Sequence, residues 1–503
     1  MNSRAPNTGS EQLIDLRQRA AAAFSLVSRL GPVIGILSIF ALTALAAEPK
    51  NNPSKSPASG TTFSQVAKPT ASDAQTSDRL GIAVAMSGDL IVIGTYNEDG
   101  GPGDPISDAG AVYIYARDQG GLNNWGQVKK LTASDAQAVD WFGFSVAISG
   151  DTIVVGAQRE DGGPGDPIGD AGAAYVFDRD QGGADNWGEI KKLVSASAQP
   201  NDNFGFSVAI SGDTIVVGAR NEDGGAGDPR PNAGEANVFE RDWGGTDNWG
   251  QRSRLRASDS QGNDEFGVSV AISGDTIVVG ANQEEGGPGD PAVNAGAAYV
   301  FGRDHGGANF WGEIQKLSAS DFQTDDEFGY AVAIHADTII VGAWLEDGGP
   351  GDPTNDSGAA YVYGRDQGGS DNWGEVKRLT SSDLQAFDNF GEAVSIDGHH
   401  ILIGAGSESG GPGDPISSAG AAYLYKRHEG GLDNWGELEK LTASDAQMSD
   451  SFGIAAAING ATLVVGAPFE DGGLGDPTSN AGAGYVFRGP PEHFIYLPMV
   501  VRD

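Results

Sequence analysis

Phe142-Gly143-Phe144-Ser145-Val146-Ala147-Ile148-Ser149-Gly150-Asp151-Thr152-Ile153-Val154-Val155-Gly156-Ala157 is the stretch on which the fold turns. In its first half, large Phe142, Phe144, Val146 and Ile148 alternate with small Gly143, Ser145, Ala147 and Ser149. A period of two marks a β-strand. Its second face is small rather than charged, which suits a sheet packed closely against another sheet. Ser149-Gly150-Asp151 is a tight turn, and the β-branched run after it is a second strand. Further on, residues 172–177 (GAAYVF) and 187–193 (WGEIKKL) read as a third and a fourth strand, the last more polar and outermost. We call the four A, B, C and D.

The same unit recurs along the chain. The pair that opens strand A is Leu80-Gly81, then Phe142-Gly143, Phe204-Gly205, Phe266-Gly267, Phe328-Gly329, Phe390-Gly391 and Phe452-Gly453, always 62 residues apart. A second anchor, Gly94, Gly156, Gly218, Gly280, Gly342, Gly404 and Gly466, keeps the same step. Seven equal units of four antiparallel strands predict an all-β, seven-bladed β-propeller. The ends of the array favour a closed ring over an open solenoid. The seventh unit reaches only strand C before Gly489-Pro490-Pro491. Its missing strand D stands at the other end, where residues 63–73 (FSQVAKPTASD) align with 125–135 (WGQVKKLTASD), again 62 apart. The N-terminal strand therefore completes the last blade and covers two sheet edges at once.

Those residues carry a resemblance. FGFSVAISGDTIVVGA, then GAAYVF, then W-x-x-x-x-K-L-x-A-S-D resembles the FG-GAP repeat of the integrin α N-terminal propeller, and in the last unit Gly466-Ala467-Pro468 completes the motif. The resemblance covers residues 63–488 and implies a propeller associated with extracellular adhesion and ligand binding. Many such repeats carry a D-x-D-x-D-G calcium loop between strands A and B. Here that turn is the short Ser149-Gly150-Asp151, so this calcium site does not carry over.

The formal net charge is −38. It argues against nucleic acid, whose phosphates need a basic surface, and against attachment to anionic lipid. It suits a chain outside the cell that meets cations or basic partners. There is no cysteine, so disulfides, thiolate metal sites and cysteine nucleophiles are excluded. Arg4, Arg17, Arg19 and Arg29 precede the apolar run 31–47, which ends in Ala44-Leu45-Ala46-Ala47. Residues 1–47 read as a secretory signal peptide, with a retained anchor as the alternative. Residues 48–62 read as a flexible linker, 63–489 as the propeller and 490–503 as a short apolar tail. The expectation is a monomer, secreted or on the cell surface, with no membrane span in the mature chain.

In blades of this connectivity the B–C and D–A loops leave one face of the disc, and they hold more than half of the 69 acidic residues. The B–C loops supply candidate calcium ligands: Glu98, Asp99, Asp104 and Asp108 in blade one, Glu160, Asp161, Asp166 and Asp170 in blade two, Glu346, Asp347, Asp352 and Asp356 in blade five. Ca2+ is thus the one candidate cofactor. Two other readings stand beside it, ordinary Asp-Gly and Gly-Asp-Pro turn chemistry and contact with a basic ligand. The D–A loops repeat Asp78, Asp140, Asp202, Asp264, Asp326, Asp388 and Asp450, which suits a hydrogen bond that fixes the loop. Trp125, Trp187, Trp249, Trp311, Trp373 and Trp435 repeat with the blades and read as packing residues rather than a sugar platform. Trp141, Trp243 and Trp344 break the repeat and are better candidates for specific recognition.

No metal spacing links the six histidines, and no serine elbow or phosphate loop is present. The function expected is binding or adhesion toward an extracellular protein or glycan, without catalysis. The alternatives are a secreted hydrolase or lyase acting on polysaccharide, marked by a polar cluster that breaks the sevenfold pattern at the centre, and a structural envelope protein.

Overall fold

The computed structural model describes residues 62–99, 106–161, 168–223, 230–285, 292–347, 354–409, 416–471 and 478–490. The expected signal peptide, all but the last residue of the expected linker, and residues 491–503 of the expected tail lie outside them.

The seven four-stranded antiparallel sheets are present and close into a ring. Blade two is built from Phe142–Ser149, Thr152–Ala157, Ala173–Asp178 and Gly188–Leu193, each strand paired with its sequence neighbour. Strand A of each blade lies against strand A of the next, including the first against the last, so the A strands surround the centre. In blade seven the strand order is Ser64–Ala67, Ala483–Arg488, Thr462–Ala467, Ala455–Asn459. The closing strand pairs Ser64 with Arg488 and Gln65 with Phe487, then bulges at Val66 before Ala67 meets Val486. A parallel bridge Leu80–Gly482 repeats, at the seam between the last and first blades, the bridge Gly110–Phe142 of the other seams.

The core lies between blades rather than within one sheet. At the first seam Val92, Val112 and Ile114 of blade one meet Ile153, Val155, Tyr175 and Phe177 of blade two, all nearly or fully buried. The small alternate face of strand A has its reason here. A Cβ on Gly156 would sit 2.0 Å from the carbonyl oxygen of Gly205 in the next blade. Gly205 has φ +90°, a conformation that L side chains rarely adopt. The glycine of strand B and the glycine after the strand-A phenylalanine are thus the two halves of one inter-blade contact.

Strand D of blade two begins one residue later than the sequence pattern suggests. Trp187 has φ 54°, which turns it out of the ladder while its side chain stays buried. In blades one and six Trp125 and Trp435 belong to the strand.

Candidate functional site

The acidic loops fold inward more than their composition suggests. Glu98 is fully buried and pairs at 2.8 Å with Lys130 of strand D, which also meets Asp73 of the D–A loop at 3.0 Å. The Tyr113 hydroxyl donates to Asp73 at 2.6 Å. This Glu–Lys–Asp–Tyr tetrad recurs. Blade two uses Glu160, Lys192, Asp135 and Tyr175. Blades four, six and seven use the equivalents around Lys316, Lys440 and Lys68. Blade five replaces lysine by Arg378, which pairs with Glu346 and Asp321. Blade three departs as a set. Asn237 stands in place of the tyrosine, and Arg256 pairs with Glu222 at 3.3 Å and with an added Glu235 at 2.8 Å. The signal for the tetrad was in the sequence, as tyrosine, lysine and Ala-Ser-Asp positions recurring with the blade, but pairing across loops is not visible from spacing alone.

Glu98, Glu160 and Glu346 are therefore taken up by half-buried cations. Asp99, Asp161 and Asp347 each accept the backbone N–H nine residues on, from Asp108, Asp170 and Asp356, at 2.7–2.9 Å. Among the described residues no group of three His, Asp or Glu side chains is placed to hold a metal ion. Asp104, Asp166 and Asp352 lie outside the described residues.

Asp78 accepts the backbone N–H of Gln75 at 2.6 Å, and Asp140, Asp202, Asp264, Asp326, Asp388 and Asp450 make the same bond in their loops. All seven side chains are almost fully buried. Burial pushes the carboxyls of Asp78, Asp140, Asp202 and Asp326 up to about 7, and those of Asp264, Asp388 and Asp450 up to about 6. The six repeating tryptophans are buried between blades, and five carry an arginine over the ring, as Arg241 does over Trp249 at 4.6 Å.

The sevenfold pattern fails at the centre of the acidic face. The residue before each Phe-Gly or Leu-Gly pair is left-handed in every blade, with φ between 53° and 63°. That position holds Arg79, Trp141, Asn203, Glu265, Glu327, Asn389 and Ser451 in turn. Asparagine tolerates this backbone, whereas Trp, Arg and Glu hold it at a cost of about 1 kcal/mol or more each. The residue after each strand B varies likewise (Tyr96, Gln158, Arg220, Asn282, Trp344, Gly406, Pro468), as does the residue after the Phe-Gly pair (Phe144, Phe206, Val268, Tyr330, Glu392, Ile454).

These variable positions meet. On one side the Arg79 guanidinium lies 5.1 Å from the Phe469 ring and 5.7 Å from the Tyr96 ring. Tyr96 packs on Trp141 at 4.9 Å, Trp141 stacks with Phe144, and Phe144 meets Phe206 at 5.1 Å. Arg159 covers Trp141 at 3.6 Å and Arg220 covers Phe206 at 4.0 Å. On the other side Arg220 reaches Glu265 at 3.4 Å. Glu327 accepts from Trp344 Nε1 at 2.8 Å and from Asn282 Nδ2 at 2.9 Å, and Trp344 packs on Tyr330 at 4.9 Å. Glu392 accepts the Gly406 N–H at 3.3 Å, and burial pushes its carboxyl up to about 7. Burial also raises the Tyr330 hydroxyl, and Glu392, Glu327 and Glu265 add to the effect, so these groups share one field. The mouth is thus aromatic and cationic on one arc and carboxylate-lined on the other. Trp141 and Trp344 sit in it, while Trp243 lies elsewhere; the arginines and glutamates were missed because each differs from blade to blade.

Such a ring of seven four-stranded sheets, whose described residues depart from the repeat around the centre, is a repeat propeller. The FG-GAP repeat model matches residues 63–115, 125–177, 187–239, 249–301, 311–363, 373–425 and 435–487, well over half of the chain. The chain belongs to the FG-GAP repeat family. Each matched unit runs from strand D of one blade to strand C of the next, the same phase shift that leaves blade seven to be closed by the first strand. No curated protein matches the chain significantly.

Proposed function

We propose that this protein is an extracellular binding or adhesion propeller whose ligand, a protein or glycan segment, is recognised at the central mouth. One observation carries the reading. A backbone position strained in all seven blades holds Arg, Trp and Glu side chains that converge on the centre, although asparagine fills it in two blades at lower cost. Strain kept with bulky and charged side chains points to recognition rather than to folding. The aromatic arc supplies large, rigid contact area, and Trp, Tyr and Arg are the residues enriched where binding energy concentrates.

The test is a pair of arrays, one of glycans and one of extracellular proteins, probed with the wild type and with a Trp141→Asn/Glu327→Asn variant. The variant installs the side chain that two blades already carry, so the ring should fold. Array signals are expected to disappear with the variant, and equal signals from both proteins would refute the reading.

The polar cluster at the centre favours a second reading, a hydrolase on the same scaffold, because Glu392 near pH 7 suits a general acid. Release of reducing ends from a polysaccharide, abolished by Glu392→Gln, would support it.

A further inference from the structure

On the face opposite the mouth, three departures from the repeat meet at one point. Trp243 in the C–D turn of blade three replaces the Gln119, Gln181, His305, Gln367 or Glu429 of other blades. Phe310 in the C–D turn of blade four stands where the other five blades with this turn have asparagine. Arg252 in strand D of blade three takes a position that is aliphatic elsewhere, as in Ile190, Ile314 and Val376. Separated in sequence and drawn from two blades, the three side chains stack. The Arg252 guanidinium lies 3.8 Å from the Trp243 ring and 4.6 Å from the Phe310 ring. It is pinned by bonds of 3.1 and 3.0 Å to the Asn309 carbonyl, and its side chain is only 7% exposed.

The arrangement leaves Trp243 46% exposed and Phe310 48% exposed. Apolar burial favours hiding such rings. A guanidinium clamped against one face of the indole holds it rigid and leaves the other face open. That indole is one wall of a cavity of about 370 Å3 shared with Asp213, Thr214, Glu240, Arg241, Asp242 and Arg303. The polar walls are ordered. Arg241 bonds Asp213 at 2.6 Å, and Arg303 bonds Glu240 at 2.7 Å and Thr214 at 2.9 Å. The neighbouring seam has a similar cavity, walled by Asp275, Arg303, Asp337 and Arg365, but with His305 where Trp243 stands.

Charge selects the ligand. The two guanidinium groups of the cavity are already matched, Arg241 by Asp213 and Arg303 by Glu240, and Asp242 accepts the backbone N–H of Asp247 at 3.0 Å, on a chain of net charge −38. A bound ion would have to displace one of these internal pairs. A neutral polyhydroxyl ring gains from both halves. Its C–H face lies on the indole, and its hydroxyls donate to the carboxylates and accept from the guanidinium groups. We propose that the Trp243 cavity is a binding site for a neutral saccharide, separate from the central mouth and independent of what the mouth binds.

The experiment is calorimetric titration, with tryptophan fluorescence in parallel, using maltohexaose, cellohexaose and laminarihexaose as probes. At least one is expected to bind the wild type. Trp243→Gln installs the residue of blades one, two and five, so folding is retained, and binding should weaken at least about tenfold, the scale of one lost aromatic contact. Trp243→Phe should keep most of the affinity, and Leu432→Ala, in the exposed C–D turn of blade six, should leave it unchanged. No binding of any of the three sugars, or binding insensitive to Trp243→Gln, overturns the proposal. It also falls if Trp243→Gln instead abolishes attachment to a protein-coated surface while the sugars fail to bind.

Discussion

Replacing Lys192 by methionine removes one positive charge from blade two and leaves the rest of the ring intact. Glu160 beside it is fully buried, and Asp135 and the Tyr175 hydroxyl share the same ammonium neighbourhood. Breaking a buried pair from one side costs about 3–5 kcal/mol, because the remaining charge has no partner. Lys192 keeps 21% of its exposure and Asp135 25%, so water recovers part of that loss. A fall of about 3 kcal/mol at pH 7.5 is the expected size. Lys192→Met/Glu160→Gln should recover most of that loss, since the fully buried charge is gone, the amide oxygen still accepts from Tyr175, and Asp135, which loses its lysine, keeps a quarter of its surface in water. The assay is urea unfolding followed by far-ultraviolet circular dichroism for the wild type, both single variants and the double variant. A single variant as stable as the wild type, or a double variant no better than the single, would refute the idea that the tetrads hold the loops through charge.

Stability should fall as pH rises from 5 to 8. The seven buried D–A aspartates have raised carboxyl pKa values, so between the ordinary carboxylate range and about pH 7 the folded chain binds more protons than the unfolded one. Their contribution is full below that range and is lost as pH passes through 6–7. Asp73, Asp135, Asp259, Asp383 and Asp445 oppose them at lower pH: against burial, their Tyr and Lys hydrogen bonds hold them below the usual value, and that stability is lost only as pH falls further. Thermal midpoints in high salt, which screens the overall repulsion, check this, and Asp140→Asn should raise the midpoint at pH 8 but not at pH 5. Gly156→Ala should cost more than about 3 kcal/mol or prevent ring formation, because its Cβ meets backbone of the next blade. Gly150→Ala, in open space at φ +58°, should cost about 1 kcal/mol; equal midpoints for the two would defeat the seam argument. Adding Ca2+ after chelation should leave the midpoint unchanged, and a rise would direct attention to Asp104, Asp166 and Asp352.

The ring was legible because its evidence is periodic. Phe142-Gly143 and Gly156-Ala157 recur at constant spacing, and the displaced strand D at residues 63–67 announced the closure. The fate of the loop carboxylates was not legible. Glu98 and Asp99 are adjacent in sequence, yet one is buried against Lys130 and the other accepts a backbone N–H. Composition counts both as surface charge, because it cannot tell which side of a loop faces the sheet. The mouth was half legible. Trp141 and Trp344 stand out as rare residues off the repeat, whereas Glu265, Glu327 and Glu392 are lost among 69 acids until the strands bring them together.

Because one sheet is shared between the two ends of the chain, residues 62 and 490 emerge at the same sector of the rim. A pull applied between whatever is joined to those ends would not be spread around the wheel. It would fall on a four-residue strand, Ser64–Ala67, gripped by three residue pairs, the Phe63 ring and the Lys68 ammonium. That clasp is where the wheel would open first under load, before any of the six continuous blades gave way.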